Sequence, residues 1–181
     1  MHERVQRVIA AMLGLTLAAA WPARAGVELP GTLAQDAPQL RMLGSGKMTW
    51  FGLHVYDAAL WTAGANLDPS APFALAIRYT RDFKGSRIAE RTVQELKRLG
   101  YTDASKLARW NDAMARLFPN VRAGERLTGM HRPGHGAEFY HQDRLIGVIA
   151  DPEFARAFFS IWLDPRTREP KLREQLIDAR E

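Results

Sequence analysis

The hydrophobic and polar positions of the chain follow two different periods, which predict both strands and helices. Short runs rich in apolar, β-branched and aromatic residues predict strands over 39–44, 48–62, 73–80, 126–130, 137–140 and 145–149. Apolar residues at helical spacing predict helices over 85–99, 103–118, 152–163 and 170–178. This order predicts an α+β fold in which a curved antiparallel sheet packs against a layer of helices, an open-faced β-sandwich.

Local signals add detail to this pattern. Gly44-Ser45-Gly46 predicts a turn or tight bend between the first two strands. In the strand predicted over 48–62, residues of both parities are largely apolar, so we expect both of its faces to be covered. Asp151 followed by Pro152 is typical of a helix start, with a capping carboxylate and a proline at the first helical position.

The first 25 residues form a separate unit. Arg4 and Arg7 precede an uncharged apolar run of 14 residues, Val8 to Trp21, and a spanning helix needs about 20. Ala23-Arg24-Ala25 then matches the small-x-small cleavage pattern. We expect a cleaved Sec-type signal peptide at 1–25 and a protein exported to a bacterial periplasm, with an uncleaved anchor as the alternative. Residues 26–38 are expected to be an extended lead-in, and residues 39–178 the domain.

Composition limits the function further. The 181 residues hold 25 Lys and Arg against 20 Asp and Glu, a net charge of +5. The first 25 residues contain three basic and one acidic side chains, so 22 basic and 19 acidic groups remain without them, a net charge of +3. This small surplus and the export signal argue against a nucleic-acid partner. The chain has no cysteine, which excludes disulfides, thiolate zinc sites, iron–sulfur clusters and a cysteine nucleophile. No later stretch is long and apolar enough to be expected to cross a membrane.

Five segments in the same order carry a resemblance to a known family. They are 43–60, with Gly44, Gly46 and Val55-Tyr56-Asp57-Ala58-Ala59-Leu60; 77–82, leading to a helix from Gly85; Phe-Pro-Asn-Val-Arg-Ala-Gly-Glu at 118–125; Pro-Gly-His-Gly at 133–136 with Arg-Leu-Ile-Gly at 144–147; and 151–164. Together they resemble the chalcone isomerase-like family, in particular its bacterial exported branch. That resemblance implies a sheet–helix cleft that holds an apolar ligand, a chalcone in the plant enzymes and a fatty acid in plastid relatives.

The resemblance also implies that the plant enzymes' chemistry is absent. Their arginine after the Gly-x-Gly turn corresponds to Met48, or to Lys47 if the register slips by one. Their strand threonine corresponds to Phe51, and their helix tyrosine and asparagine correspond to Ile88 and Glu95. Because most of these polar groups are replaced, we expect no chalcone cyclisation and assign no catalytic residue. A non-catalytic protein that binds a small, fatty acid-like molecule is the leading hypothesis.

The ligand carboxylate is expected to meet Lys47, Arg78 or Arg91. Two other classes stay open. One is an envelope structural or partner-binding protein with a filled cleft, and the other is a lyase or isomerase that uses Lys47, Tyr79 and Glu95. Tyr79 and Trp110 are interpreted first as core residues, with a place in the pocket lining as the alternative. The candidate ligand-binding residues are Lys47, Met48, Phe51, Tyr79, Ile88, Arg91, Glu95 and Trp110.

Histidines and a basic stretch complete the candidates. His54, on a strand with apolar neighbours, is interpreted as a hydrogen-bonded histidine or, alternatively, a haem ligand; no other cofactor is expected. His131, His135 and His141 are interpreted as solvated residues around an exposed turn rather than as a metal site. The cations from Arg78 to Arg98 are interpreted as a solvated face, with an anion gate or contact with anionic lipid headgroups as alternatives.

Overall fold

The computed structural model describes residues 27–178, so the predicted signal peptide lies outside the described residues. Within this range none of the helices is long and apolar enough to cross a membrane. The elements are α1 (Gly31–Asp36), β1 (Arg41–Trp50), β2 (Leu53–Thr62), β3 (Phe73–Tyr79), α2 (Gly85–Arg98), α3 (Ala104–Leu117), β4 (Arg126–Arg132), β5 (Gly136–His141), β6 (Arg144–Ile149), α4 (Pro152–Leu163) and α5 (Pro170–Ile177).

The six strands form one antiparallel sheet in the order β1-β2-β3-β4-β5-β6, and α2 and α3 are inserted between the paired strands β3 and β4. This confirms the predicted α+β fold. Helix starts follow the capping rules: the Asp103 carboxylate accepts from the Lys106 N–H at 2.9 Å. The Asp151 carboxylate accepts from the backbone N–H groups of Glu153 and Phe154.

The predicted turn at Gly44-Ser45-Gly46 is wrong, because β1 continues through these residues, with a register irregularity between Met42 and Gly44. The chain reverses instead at Phe51-Gly52, where both residues have left-handed backbones with φ of 47° and 75°. A β-carbon added at Gly44 would lie 2.6 Å from the carbonyl oxygen of Leu176 in α5. The glycines therefore allow a helix to approach the strand closely, and the strand predicted over 48–62 is divided by the true turn.

Both faces of the sheet are covered at β2, as predicted from the apolar residues that alternate onto both sides of this strand. Ala58 packs in the main core under the helices, and Ala59 packs on the opposite face against Val27; both alanines are fully buried. The segment 26–38 supplies this second cover and is not wholly extended, because residues 31–36 form α1. Leu33 of α1 is fully buried, so its side chain anchors the segment.

Aromatic rings fill the space between the sheet and the helices. Phe139 of β5 lies edge-on to Phe118, with ring centroids 5.0 Å apart, and to Phe158 of α4 at 5.1 Å. Phe159 adds an edge contact with Phe73 of β3 at 4.9 Å. Aromatic side chains thus occupy the central part of the sheet–helix interior.

Candidate ligand site

Two tyrosines face each other on the helix side of the sheet, at the end nearest the β1–β2 turn. Tyr56 of β2 and Tyr79 of β3 are register partners, and their ring centroids are 6.0 Å apart in an edge-on arrangement. Trp162 of α4 donates its indole N–H to the Tyr56 hydroxyl oxygen at 2.9 Å. Both tyrosines also pack against the main core.

Neither hydroxyl proton of this pair has an acceptor in the described part of the chain. Among residues 27–178, the Tyr56 hydroxyl only accepts a hydrogen bond, and the Tyr79 hydroxyl has no hydrogen-bond partner. Burial raises the pKa of both phenols well above the usual value of 10. Both groups therefore stay protonated near neutral pH, where each can donate one hydrogen bond to a bound molecule.

A carboxylate surrounded by guanidinium groups lies beside this pair. Glu95 of α2 is nearly buried and contacts Arg98 Nε at 2.8 Å, Arg91 Nη2 at 3.2 Å and Arg168 Nε at 3.3 Å. Burial also raises the pKa of the neighbouring Glu169. The three cations exceed the two carboxyl groups, so the local net charge is positive.

Apolar side chains border the same region. Met48 of β1 is the register neighbour of Tyr56, and Ile88 lies two helical turns before Glu95 on the same face of α2. Both are partly buried against the main core. We call this set the tyrosine site: Met48, Tyr56, Tyr79, Ile88 and Glu95. Among the predicted residues, Met48 and Tyr79 adjoin Tyr56, and the charge of Glu95 acts on Tyr56. Ile88 packs against the same main core, and Arg91 is bound to Glu95.

Phe51 and Lys47 lie outside the tyrosine site. Phe51 does not lie on a strand but in the β1–β2 turn, where 90% of its surface is exposed. Lys47 is exposed and pairs in register with Asp57. Because side chains alternate along a strand, Lys47 and its neighbour Met48 project to opposite faces, so Lys47 does not reach the tyrosine site.

Trp110 also lies apart, in the core between α3 and α4. Its indole N–H donates to the Asp151 carboxylate at 2.8 Å, and its ring packs against Tyr101 and Phe154. This geometry matches the core interpretation, since Trp110 ties α3 to the capping residue of α4.

His54 and His131 make hydrogen bonds within the fold. His54 Nε2 lies 2.9 Å from the Asp57 carboxylate, which also contacts Arg78 Nη2 at 3.3 Å. The interpretation of His131 as solvated is wrong: it is 4% exposed, bonded to the Pro69 carbonyl at 3.1 Å. Across the described part of the chain, no group of three or more His, Asp or Glu residues is placed to hold a metal ion.

Two shallow cavities lie at the margins of the molecule. One, of about 300 Å³, is lined by Lys47, Asp57, Val27 and neighbours; the other, of about 380 Å³, lies between α3 and Val148 of β6. Neither lies between β2 and α2, where the family resemblance implied a cleft.

Sequence reasoning missed three components of this site. Tyr56 was recognised as a residue of a covered strand and of the family motif but not as a site residue, and Trp162 and Arg168 lie more than 100 residues further along the chain. A tyrosine among the apolar residues of a doubly covered strand was the available signal, because a buried hydroxyl needs a partner. No local signal connected Arg168 with Glu95.

Comparison with known proteins agrees with this architecture. The chalcone isomerase-like family model matches residues 22–178, so the chain belongs to that family. A solved structure with a similar fold is a fatty-acid binding protein of Arabidopsis thaliana. The two share 14% sequence identity with a TM-score of 0.58, over 76% of this chain and 86% of that chain. A search of curated proteins found no match. The bacterial exported branch remains a prediction.

Proposed function

We propose that this protein is a non-catalytic binding protein for a small apolar molecule with an anionic head group, such as a fatty acid. The observation that carries the proposal is the pair of phenols of Tyr56 and Tyr79, whose hydroxyl protons have no acceptor among residues 27–178, beside a positively charged cluster. The family membership and the fold shared with a fatty-acid binding protein support the same class of ligand.

The head group would accept hydrogen bonds from the two phenols. A carboxylate fits this role because it only accepts hydrogen bonds, and bonds to a charged acceptor are stronger than neutral ones. The guanidinium groups around Glu95 supply a favourable electrostatic field. Arg91 is the most accessible of the three, with 51% of its side chain exposed, so it would guide an anion inward.

The apolar part of the ligand would lie against Met48, Ile88 and Phe83, whose ring centroid lies 5.4 Å from that of Tyr79. These side chains are only partly buried, whereas the central interior is filled with aromatic rings. Binding would therefore require local repacking of these flexible aliphatic and partly exposed groups rather than entry into a preformed cavity. Methionine suits such a position because its unbranched side chain adapts its shape.

The same residues support a non-catalytic role. Isomerase chemistry would need polar groups that stabilise developing charge in fixed positions, and the corresponding positions here hold Met48, Ile88 and the exposed turn residue Phe51. A lyase using Lys47, Tyr79 and Glu95 gains no support, because Lys47 projects to the opposite face from Met48. Export to the periplasm is part of the proposal, and an intact mass of the secreted protein that begins at Gly26 would support it.

Titration of the purified protein with a saturated fatty acid, followed by calorimetry, tests the proposal. We expect Tyr79→Phe and Tyr56→Phe each to weaken binding by roughly 10- to 100-fold, the effect of one hydrogen bond to a charged group. Tyr101→Phe removes a hydroxyl at the α2–α3 junction and is the matched control, which should bind like the wild type. An alcohol of the same chain length should bind more weakly than the acid.

Absence of binding by the wild type would contradict the proposal. Equal binding of acid and alcohol would contradict the role of the charged head group.

The filled interior favours a second candidate, an envelope protein that binds a protein partner without any small ligand. A wild-type protein that binds neither fatty acid nor alcohol, yet recovers one partner reproducibly after cross-linking in its host, would favour it. Haem binding through His54 is a further alternative, although Asp57 already engages its Nε2. An absorbance band near the Soret region on haem addition, lost in His54→Ala, would support that alternative.

A further inference from the structure

The β1–β2 turn exposes a compact group of large apolar side chains. The exposed fraction is 40% for Trp50, 90% for Phe51 and 49% for Leu53. With Gly52 they form four consecutive residues at the end of a hairpin, which we call the hairpin tip. Single exposed apolar residues are common on protein surfaces, but adjacent ones at the end of a protruding element indicate a contact surface.

Phe51 is not a residue that the turn conformation favours. Phe51 and Gly52 both have positive φ, the conformation of a two-residue type I′ turn, in which asparagine followed by glycine is strongly preferred. An aromatic residue is disfavoured in that conformation. Its ring contacts that of Trp50, with centroids 5.2 Å apart, but stays in solvent. The residue therefore adds neither turn propensity nor core packing.

Cations surround the hairpin tip. The Arg91 guanidinium carbon lies 5.6 Å from the centre of the Trp50 ring. Arg87 and Lys84 are also exposed, about one and two helical turns before Arg91, with Lys84 at the N-cap position of α2. Arg81 follows the end of β3, which is tied to the hairpin by a 2.7 Å hydrogen bond from the Thr80 hydroxyl to the His54 carbonyl.

Acidic groups on the same segment do not cancel this charge. Glu90 pairs with Arg87 at 2.8 Å, and Asp82 accepts a hydrogen bond from the Ala123 N–H at 2.9 Å. Glu95, which pairs with Arg91 at 3.2 Å, is a third acid, so three acids stand against the four cations at 81, 84, 87 and 91. The surface next to the exposed rings keeps a positive charge.

We propose that the hairpin tip docks this protein on the surface of an anionic lipid bilayer. Trp50, Phe51 and Leu53 would enter the headgroup–acyl boundary, where aromatic side chains are favoured, while Lys84 and Arg87 contact lipid phosphates. The apolar area is small, so the contact is reversible and depends on salt. This docking is independent of the ligand proposed for the tyrosine site.

Vesicle co-sedimentation tests the docking. Wild-type protein should bind vesicles of phosphatidylcholine and phosphatidylglycerol at low salt, and bind less to phosphatidylcholine alone or at 0.5 M NaCl. Phe51→Asn should weaken binding at least fivefold while its melting temperature stays equal or rises, because Asn-Gly suits the turn. Leu145→Asn is the matched control, since Leu145 is also 49% exposed but lies on β6 at the opposite sheet edge.

A double variant, Lys84→Gln with Arg87→Gln, should lose the preference for anionic vesicles. Wild-type protein that does not bind anionic vesicles would overturn the proposal, as would equal binding by Phe51→Asn. A dimer in light scattering that Phe51→Asn dissociates, without vesicle binding by the wild type, would also overturn it and would identify a second copy of the chain as the occupant.

Discussion

Gly44→Ala should separate α5 from the sheet. The α-carbon of Gly44 lies directly under the C-terminal part of α5, and an added methyl group would contact the backbone carbonyl oxygens of Gln175 and Leu176. Backbone atoms of a helix cannot move aside singly, so the whole helix must shift. The register irregularity between Met42 and Gly44 lies at the same point of β1, which leaves little room for the strand to adjust.

The size of the effect follows from what α5 buries. Overpacking by one methyl group typically costs about 1–3 kcal/mol. Complete loss of α5 docking would expose Leu172 and Leu176, which are 3% and 0% exposed. At about 1.5–3 kcal/mol for each buried leucine, that limit is about 3–6 kcal/mol. We expect a loss of about 2–4 kcal/mol in the free energy of unfolding, between partial adjustment and full release.

Urea unfolding followed by circular dichroism measures this loss as a lower midpoint with little change in slope. Gly64→Ala is the matched control: its added methyl group would meet only the Asn66 carbonyl oxygen, at 3.9 Å. We expect that variant to stay within about 0.5 kcal/mol of the wild type. If Gly44→Ala were as stable as Gly64→Ala, the account of these glycines as a helix-docking surface would be wrong.

Three further predictions concern polar groups of the core and site. Asp151→Ala should lower the free energy of unfolding by about 2–4 kcal/mol in urea titrations, because it removes a helix cap and leaves the buried Trp110 N–H without an acceptor. Glu95→Gln should lower the free energy of unfolding by about 1–3 kcal/mol, because three guanidinium groups lose their shared carboxylate. The partial exposure of those guanidinium groups limits the loss. Thermal melts at low and high salt measure this change in stability. Burial lowers the pKa of His131 below its usual 6.5. The unfolded chain therefore binds a proton on this residue at a higher pH than the folded chain does. Stability should consequently fall as the pH drops below 6.5. Urea midpoints from pH 7.5 to 5 should fall less steeply for His131→Gln than for the wild type, and His135→Asn, at an exposed position, should keep the wild-type slope.

Local chemistry made the fold largely predictable. The helices begin where Asp103 and Asp151 can cap them, and proline or glycine follows shortly after α2 and α3 end. The error at Gly44-Ser45-Gly46 has a physical reason. Glycine serves equally for a turn and for the close approach of another backbone, and only the position of α5, about 130 residues later, decides between them.

The site was less predictable because its parts come from four separate elements. Met48, Ile88 and Glu95 were found through a family motif, and the structure brings them to one end of the sheet. The role of Tyr56 depends on its contact with Trp162, 106 residues away. Sequence periodicity places a side chain on a face but does not show which distant groups meet it there. Lys47 was predicted as a site residue for the same reason. Its neighbour Met48 reaches the site, whereas the Lys47 side chain projects to the opposite face of the sheet.

Native mass spectrometry of the protein purified from its own host tests the central claim most directly. The account predicts a fraction of molecules that carry one noncovalently bound acidic lipid, and it predicts that Tyr79→Phe purified in the same way carries much less while Tyr101→Phe carries the wild-type amount. Protein that is free of ligand in repeated preparations, and whose melting temperature does not change on addition of fatty acids, would contradict it.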